Sequence, residues 1–311
     1  MTAMNIKHIL VPTDFSPCSR HALDWAVSLA GRTEAHLRLL HILADYDPEW
    51  YSEADPEPQV TALRQEIEQD AEEELKAMMP DRAATGVESD IALERDLNVA
   101  SAIVDHADAC DTDLVVIGTH GRGGLSHVLL GSVAEQVVRR ARRPVLTVGK
   151  DAPEPHKIER ILAPIDFSRH SRKALRTAKE LAALYDARLD LLFVAEERMV
   201  PVFSDTGIPS VNVLKMDPEI VKDSSEALAQ LNEDVGGPEV EVQGHVAHGD
   251  VAPRITEFAD THDTDMIVIA TRGLTGLDHF LIGSVTERVV RKAPCPVFTL
   301  HTEGDAEEEE A

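Results

Sequence analysis

Short, continuously apolar runs alternate along the chain with longer segments whose apolar residues recur every three or four positions. The first half holds five such runs, at residues 9–14, 37–43, 91–93, 113–117 and 144–148. Runs of this length that are rich in Val, Ile and Leu predict buried strands. The intervening segments predict helices; in the first of them Ala22, Trp25 and Leu29 share one apolar face. Strands separated by helices predict an α/β fold with an open parallel sheet.

The second half of the chain repeats the first at a constant distance. Asp166, Gly283 and Pro296 each follow their counterparts Asp14, Gly131 and Pro144 by 152 positions. A constant shift of this size indicates the tandem duplication of one domain. We therefore predict domain 1 at residues 1–150, a Pro-containing linker at 151–156, domain 2 at 157–302 and an acidic tail at 303–311.

Two apolar segments need their own interpretation. The predicted helix between the second and third strands carries an apolar stripe with an acidic outer face, for which we expect core packing: Val60, Leu63, Ile67, Ala71 and Leu75. Residues 200–214 are irregular yet apolar, and precede a helix start at Asp217 and Pro218. They fit either a lid or interface segment, or packing onto their own domain.

The stretch after the fourth run combines a Gly-rich loop with a helix start. Gly118, Gly121 and Gly131 precede Ser132, and Ser132-x-x-Glu135 reads as a capping box. A Gly-rich loop that leads into a helix aims free N–H groups at one spot, which suits a phosphate. A plain strand-to-helix connection is the alternative. The spacing matches neither the P-loop nor the dinucleotide-binding fingerprint.

Composition narrows the range of functions. The 311 residues hold 56 Asp and Glu against 30 Lys and Arg, a formal net charge of −26. So acidic a surface repels nucleic acid and anionic lipid, and we expect neither as a partner. Adaptation to a salty cytoplasm is our hypothesis for this charge, with an ordinary acidic cytosolic protein as the alternative.

Cysteine use and hydropathy bear on the compartment. Cys18, Cys110 and Cys295 form no CxxC pair, which favours a reducing cytoplasm over a disulfide framework or a zinc site. Cys18 lies near a helix start, where its pKa can fall, although an ordinary free thiol is the simpler interpretation. We find neither a signal peptide nor an apolar run long enough for a membrane span. We expect a cytoplasmic protein.

The carboxyl ends of parallel strands face one crevice, where ligands bind in open α/β sheets. Asp14 ends the first strand, and the Gly118 loop and Ser132 follow the fourth. The Gly loops and Ser132 suit the phosphates of a nucleotide, and Asp14 suits a base amino group or a ribose hydroxyl. His120 is Arg272 in the second copy, which favours phosphate contact over acid–base catalysis. No catalytic residue is predicted.

The pattern Gly118-x2-Gly121-x9-Gly131-Ser132, together with Pro12 and Asp14, resembles the ATP-binding branch of the universal stress proteins. The resemblance to a tandem member of this family covers nearly the whole chain, except the linker, residues 200–214 and the tail. It implies two Rossmann-like domains, each with a five-stranded parallel sheet of order 3-2-1-4-5. It also implies that the domains pair through their last strands within one chain, and it leaves further homodimerisation open.

The resemblance implies ATP in each crevice, with or without Mg²⁺ or Mn²⁺. The nucleotide-binding residues in the first copy would be Pro12, Thr13, Asp14, Ile42, Gly118, His120, Gly121, Arg122, Gly131, Ser132 and Val133. Those in the second copy would be Pro164, Ile165, Asp166, Val194, Arg272, Gly273, Gly283, Ser284 and Val285. Ala270 replaces the first glycine of the second copy, and its methyl either crowds the ligand or is harmless.

Three functions fit these features. The first is an ATP-binding, nucleotide-dependent regulator of the stress response. The second is a slow ATPase or phosphotransferase that uses the same site, although no Walker lysine, acidic Mg²⁺ cluster or repeated base is present. The third is a nucleotide-free interaction module in which the glycines and caps serve only the fold.

Overall fold

The computed structural model describes residues 4–44, 58–121, 130–155, 158–195, 200–203, 209–212, 218–271 and 282–301. Its elements, in chain order, are β1 (His8–Pro12), α1 (Pro17–Thr33), β2 (His36–Ala44), α2 (Pro58–Met78), α3 (Arg82–Thr85), β3 (Ser89–Asp96), α4 (Val99–Ala109), β4 (Leu114–Gly118), α5 (Ser132–Arg140), β5 (Val145–Val148), β6 (Arg160–Ile165), α6 (Arg169–Tyr185), β7 (Arg188–Ala195), β8 (Val200–Phe203), β9 (Pro209–Asn212), α7 (Pro218–Val235), β10 (Val242–His248), α8 (Val251–Thr261), β11 (Met266–Ala270), α9 (Ser284–Lys292) and β12 (Val297–Leu300).

The chain divides into two compact units. One holds Asn5–His156 together with Pro296–Ala311, and the other consists mainly of Lys157–Leu277 and Gly283–Cys295. In the first unit the strand order is β3-β2-β1-β4-β5-β12, and in the second it is β10-β7-β6-β11. The neighbouring pairs run parallel, apart from β12, which pairs antiparallel with β5. The prediction of an α/β fold with parallel sheets is confirmed.

The core of the first unit lies between its sheet and helices. Leu114, Val115 and Val116 of β4 are fully buried, as the continuous apolar run predicts. On α1 the predicted face is buried, with Trp25 at its centre. The Nε1 of Trp25 donates a hydrogen bond to the carbonyl of Pro153 at 3.1 Å, so the segment after β5 packs on α1.

Helix α2 departs from the prediction. Ala71 and Leu75 are buried, but Leu63 and Ile67 are 56% and 45% exposed. The prediction that the whole stripe packs in the core is therefore wrong for these two residues, and the side chain of Val60 lies outside the description. An apolar periodicity shows which face of a helix is apolar, but not how far along its length another element covers that face.

The apolar stretch at residues 200–214 is not irregular throughout. Strands β8 and β9 pair antiparallel, with Val202 opposite Ser210. Asp217, the predicted cap of the next helix, lies outside the described residues, and Pro218 is the first residue of α7. In the described part of the chain, no helix is both long and apolar enough to cross a membrane.

Candidate functional site

The first strand of each repeat ends in the same turn. The amide of Ser16 donates to the Asp14 carboxylate at 3.1 Å, and that of Ser168 donates to Asp166 at 3.0 Å. Phe15, between Asp14 and Ser16, has a φ of 65°, in the left-handed region that only a few per cent of non-glycine residues adopt. This turn fixes Asp14 at the carboxyl end of β1, where sequence reasoning placed it.

Thr13 lines the crevice, but its polar groups are engaged within the protein. The Thr13 hydroxyl lies 3.0 Å from the Ser19 hydroxyl and accepts a hydrogen bond from the Phe15 amide at 3.0 Å. Its counterpart in the second repeat is Ile165, which has no hydroxyl. Thr13 and Ile165 therefore share no polar side-chain group. The Thr13 amide donates to the Leu40 carbonyl at 2.8 Å, and the Thr13 carbonyl lies 2.7 Å from His41 Nδ1.

The glycines of the loop after β4 allow close approaches within the protein itself. A Cβ on Gly121 would lie 2.6 Å from the Asp14 carboxylate. A Cβ on Gly118 would lie 3.0 Å from the main-chain carbonyl of Cys18, at the start of α1. Gly118 thus permits helix α1 to pack against β4, and Gly121 leaves room for the Asp14 side chain.

Helix α5 begins one residue earlier than predicted. Gly131 is the N-cap, with φ −61° and ψ 144°, and Ser132 is the first helical residue. The predicted Ser132–Glu135 capping box is therefore wrong, and Glu135 instead pairs with Arg139 at 3.1 Å. Glycine has no side chain to cap the first amides. The helix start, where Ser132 is exposed and Val133 is half-buried, can therefore accept an anion.

These residues surround one cavity of about 550 Å³. Ten of the residues predicted for the first copy line it: Pro12, Thr13, Asp14, Ile42, Gly118, His120, Gly121, Gly131, Ser132 and Val133. Arg122 lies outside the described residues. A cavity of this size is in the range that holds a small molecule or cofactor.

One wall of the cavity is apolar, and sequence reasoning missed most of it. Val99 and Ile103 of α4 contribute to it, as do Ile117 and Leu130. In the sequence, the signal is that Val251 and Ile255 occupy the equivalent places in the second copy. An apolar wall beside a polar helix start suits a ligand with a flat apolar part and an anionic part.

The polar groups of the cavity are few. Asp14 is the only carboxylate among its described lining residues. His120 also lines it, with its Nδ1 atom 2.9 Å from the Thr119 hydroxyl. Within the described residues, no group of three or more His, Cys, Asp and Glu side chains is arranged to hold a metal ion.

The second repeat places its predicted residues at equivalent positions. Pro164, Ile165 and Asp166 lie at the end of β6, and Val194 lies near the end of β7. Gly283 caps α9 with φ −62° and ψ 143°, followed by Ser284 and Val285. Arg272 and Gly273 lie outside the described residues.

Comparison with known proteins matches both repeats to the same family. The model of the Universal stress protein family matches residues 5–149 and 157–301. A universal stress protein of Mycolicibacterium smegmatis is 28% identical over 94% of this chain and 96% of its own length. One from Methanocaldococcus jannaschii is 32% identical over 46% of this chain and 81% of its own length.

A solved structure extends the comparison to the fold. The crystal structure of a universal stress protein from Archaeoglobus fulgidus matches 96% of this chain and 99% of its own, with a TM-score of 0.66 and 19% identity. At that identity the match concerns the fold alone.

Proposed function

We propose that this chain, which belongs to the universal stress protein family, binds ATP in the crevice of each repeat and acts as a nucleotide-dependent regulator in the stress response. The observation that carries the proposal is the cavity of about 550 Å³ in the first repeat, which joins Asp14 to the start of α5. The stress-response role follows from the family, and the ATP site is our inference.

Each part of ATP has a chemical match in this cavity. The N-terminal amides of α5 and the exposed Ser132 hydroxyl suit the phosphates. The apolar wall that includes Ile42 and Ile103 suits the adenine ring. The Asp14 carboxylate accepts hydrogen bonds and so favours a base that carries an amino group. Mg²⁺ or Mn²⁺ would accompany the phosphates as part of the bound nucleotide.

Substitution of aspartate for Ser132 or Ser284 tests the two sites separately. A carboxylate at the first helical position repels phosphate but favours the helix dipole, so each helix should stay folded. We expect about two ATP per chain for the wild type, about one for either S132D or S284D, and none for the double variant. The measurement is denaturing mass spectrometry of released nucleotide, with ATP titration in high salt.

The variants S132N and S284N are the controls, because asparagine has the size of aspartate but no charge. They should bind more ATP than the aspartate variants. A wild type that binds no ATP, or aspartate variants that bind as much as the wild type, would contradict the proposal. Formation of ADP from Mg²⁺-ATP that S132D abolishes would instead support the slow ATPase.

We further propose how the chain is organised. Domains at residues 1–150 and 157–302, with a linker at 151–156 and a tail at 303–311, are supported by the two family matches at 5–149 and 157–301. By sequence repeat β12 is the last strand of domain 2, and we propose that the two repeats pair through β5 and β12, with Val297 opposite Thr147; by its contacts β12 belongs to the first compact unit. A homodimer would require a further surface. The free thiols of Cys18, Cys110 and Cys295 support a reducing compartment such as the cytoplasm.

A further inference from the structure

One histidine on β2 lines the first cavity without having been predicted as a site residue. His41 lies beside Ile42 in the lining, and its Nδ1 atom is 2.7 Å from the carbonyl oxygen of Thr13. A carbonyl oxygen only accepts hydrogen bonds, so Nδ1 carries the proton and donates it. This side chain therefore ties β2 to the residue that follows β1.

His41 contacts both chain neighbours of Asp14. The Thr13 carbonyl belongs to the planar peptide group that also contains the Asp14 amide, so the hydrogen bond orients that group. On the other side of Asp14, the ring of Phe15 packs on the His41 ring with centroids 4.4 Å apart. Phe15 has a φ of 65°, a conformation that persists only where the surroundings hold it. The main chain on either side of Asp14 is thus held by one side chain.

The second repeat keeps the ring but lacks the donor. Phe193 follows His41 by 152 positions and lies opposite Ile165 in the pairing of β6 with β7. Its ring packs on Phe167 with centroids 5.1 Å apart. A phenyl ring has no N–H group, so Phe193 cannot donate to the Ile165 carbonyl as His41 donates to that of Thr13.

The turn itself is alike in the two repeats. Its aspartate accepts the amide two residues later at 3.1 Å in the first repeat and at 3.0 Å in the second. The φ of Phe15 is 65°, and that of Phe167 is 63°. The Thr13 hydroxyl is a second difference, since it accepts from the Phe15 amide at 3.0 Å and Ile165 has no hydroxyl. That bond lies after Asp14, whereas the bond from His41 fixes the peptide group before it.

We propose that His41 is a positioning residue that holds the Asp14 carboxylate ready for the amino group of the base. The first site then selects a base with an amino group more strongly than the second site does. A carboxylate that is already in place gives its full hydrogen bond, whereas one that is ordered only on binding loses part of that gain. This inference rests on the proposed function.

The preference is measured with ATP and purine riboside 5′-triphosphate, which has hydrogen in place of the amino group. Loss of a hydrogen bond to a charged group weakens binding about tenfold or more. The first site should therefore prefer ATP by about that factor. Ordering of one side chain on binding costs about twofold to tenfold in affinity, so the preference of the second site should be smaller by about that amount.

Single-site proteins test the proposal by titration calorimetry with these two nucleotides. S284D leaves the first site open, and S132D leaves the second open. Adding H41F to S284D should reduce the preference to that of the second site. H41N should keep most of it, because an asparagine amide can donate from the place of Nδ1. Adding F193H to S132D should raise the preference of the second site.

Two further variants of S284D separate positioning from other roles. D14N changes the acceptor itself and should abolish most of the preference, and H41F added to D14N should then change it no further. T13V removes the hydroxyl but keeps the bond from His41, and it should retain the preference. Thermal unfolding without nucleotide checks that each variant is folded.

The outcomes separate this inference from the function on which it rests. Failure of both single-site proteins to bind any nucleotide contradicts the proposed function, and this inference with it. ATP binding by S284D with an equal preference in S284D and its H41F variant contradicts the inference alone. An H41F variant that weakens both nucleotides equally, or that lowers the preference further in the D14N protein, also contradicts it, because His41 would then act independently of Asp14.

Discussion

At the level of single residues, three glycines of the first crevice face three different neighbours. A Cβ on Gly118 meets the backbone of Cys18, and one on Gly131 lies 3.0 Å from the Thr119 carbonyl oxygen. Among the described residues, a Cβ on Gly121 meets only the Asp14 carboxylate. Backbone neighbours resist displacement, whereas a carboxylate at the end of a side chain can turn away. Gly121 is therefore the glycine whose substitution affects the candidate site more than the fold.

We predict that Gly121→Ala weakens ATP binding with little loss of stability. The new methyl, which would lie 2.6 Å from the carboxylate, must displace the Asp14 side chain. A lost hydrogen bond to a charged group corresponds to a loss of affinity of about tenfold or more. The measurements are ATP titration and thermal unfolding without nucleotide.

Gly149→Ala is the matched control for this substitution. A Cβ at Gly149 would lie 3.9 Å from the Thr119 hydroxyl, an ordinary contact distance. We expect this variant to bind ATP as the wild type does. Unchanged ATP affinity in Gly121→Ala would show that the position of Asp14 does not matter for the ligand.

The pair Arg38–Asp90 makes stability depend on pH. The Arg38 guanidinium donates to both carboxylate oxygens of Asp90, at 2.7 and 2.5 Å. This hydrogen bonding lowers the pKa of Asp90 below its ordinary value of 3.8. The carboxyl of Asp90 therefore binds a proton more tightly in the unfolded chain than in the folded one. The contribution of the pair to the free energy of unfolding is full above about pH 4, and it is lost as the pH falls through the lower pKa of the folded state.

We predict that Asp90→Asn lowers the free energy of unfolding at pH 7 and flattens its decline below pH 4. The removed carboxylate leaves no group to lose its charge at this place. Urea unfolding between pH 2.5 and 7 provides the measurement. Glu72→Gln, which breaks an exposed pair with Lys76 on α2, is the control and should change stability little. Equal curves for Asp90→Asn and the wild type would contradict the prediction.

The residues of the site were predictable from the sequence where their spacing along the chain determines their place in the fold. Three glycines and Ser132 at set distances after a buried strand indicated one crevice, and Asp14 is found there. The N-cap of α5 was predicted wrongly because Gly131 and Ser132 both fit an N-cap, and only the backbone angles distinguish them. The contact of Gly121 with Asp14 joins residues 107 positions apart in sequence, which local patterns do not encode.

At the level of elements, α2 shows what a periodic pattern leaves open. Its four described stripe residues share one face, yet only Ala71 and Leu75 are buried. The period of 3.6 residues was enough to predict that α2 is a helix and which of its faces is apolar. The extent of its coverage depends on the strands and loops around it, which belong to other parts of the sequence.

We predict unequal effects of truncation along α2. Leu75→Ala should cost about 2–5 kcal/mol of unfolding free energy, because Leu75 is fully buried. Leu63→Ala should change it by less than about 0.5 kcal/mol, because Leu63 is 56% exposed. Urea unfolding measures both, and the two substitutions are chemically identical, so each is the control of the other. A cost for Leu63→Ala that matches Leu75→Ala would place Leu63 in the core.

At the level of the whole molecule, acidic residues outnumber basic residues, with 56 Asp and Glu against 30 Lys and Arg. A net charge of −26 over 311 residues implies self-repulsion in the folded state. Dissolved salt screens such repulsion, with a screening length of about 10 Å at 0.1 M that shortens to about 3 Å at 1 M. Neither the fold nor the candidate site requires so many carboxylates.

We predict that the Tm rises as KCl increases from about 0.1 to about 3 M, since screening removes repulsion that the unfolded chain largely escapes. Differential scanning calorimetry of the full chain provides the measurement. A chain without residues 303–311 should respond in the same sense, because most of the charge lies elsewhere. A flat or falling curve would contradict adaptation to high salt.

The assignment of β12 to the first compact unit has a consequence for synthesis on the ribosome. Thr147 of β5 donates its hydroxyl to the Val297 carbonyl at 3.2 Å, and Thr299 of β12 donates to the Val145 carbonyl at 3.0 Å. The partner of β5 is thus made about 150 residues after β5 itself. Throughout that interval the emerging chain presents β5 as an unpaired sheet edge, open to pairing with another nascent chain. Completion of the first unit must therefore await the translation of β12.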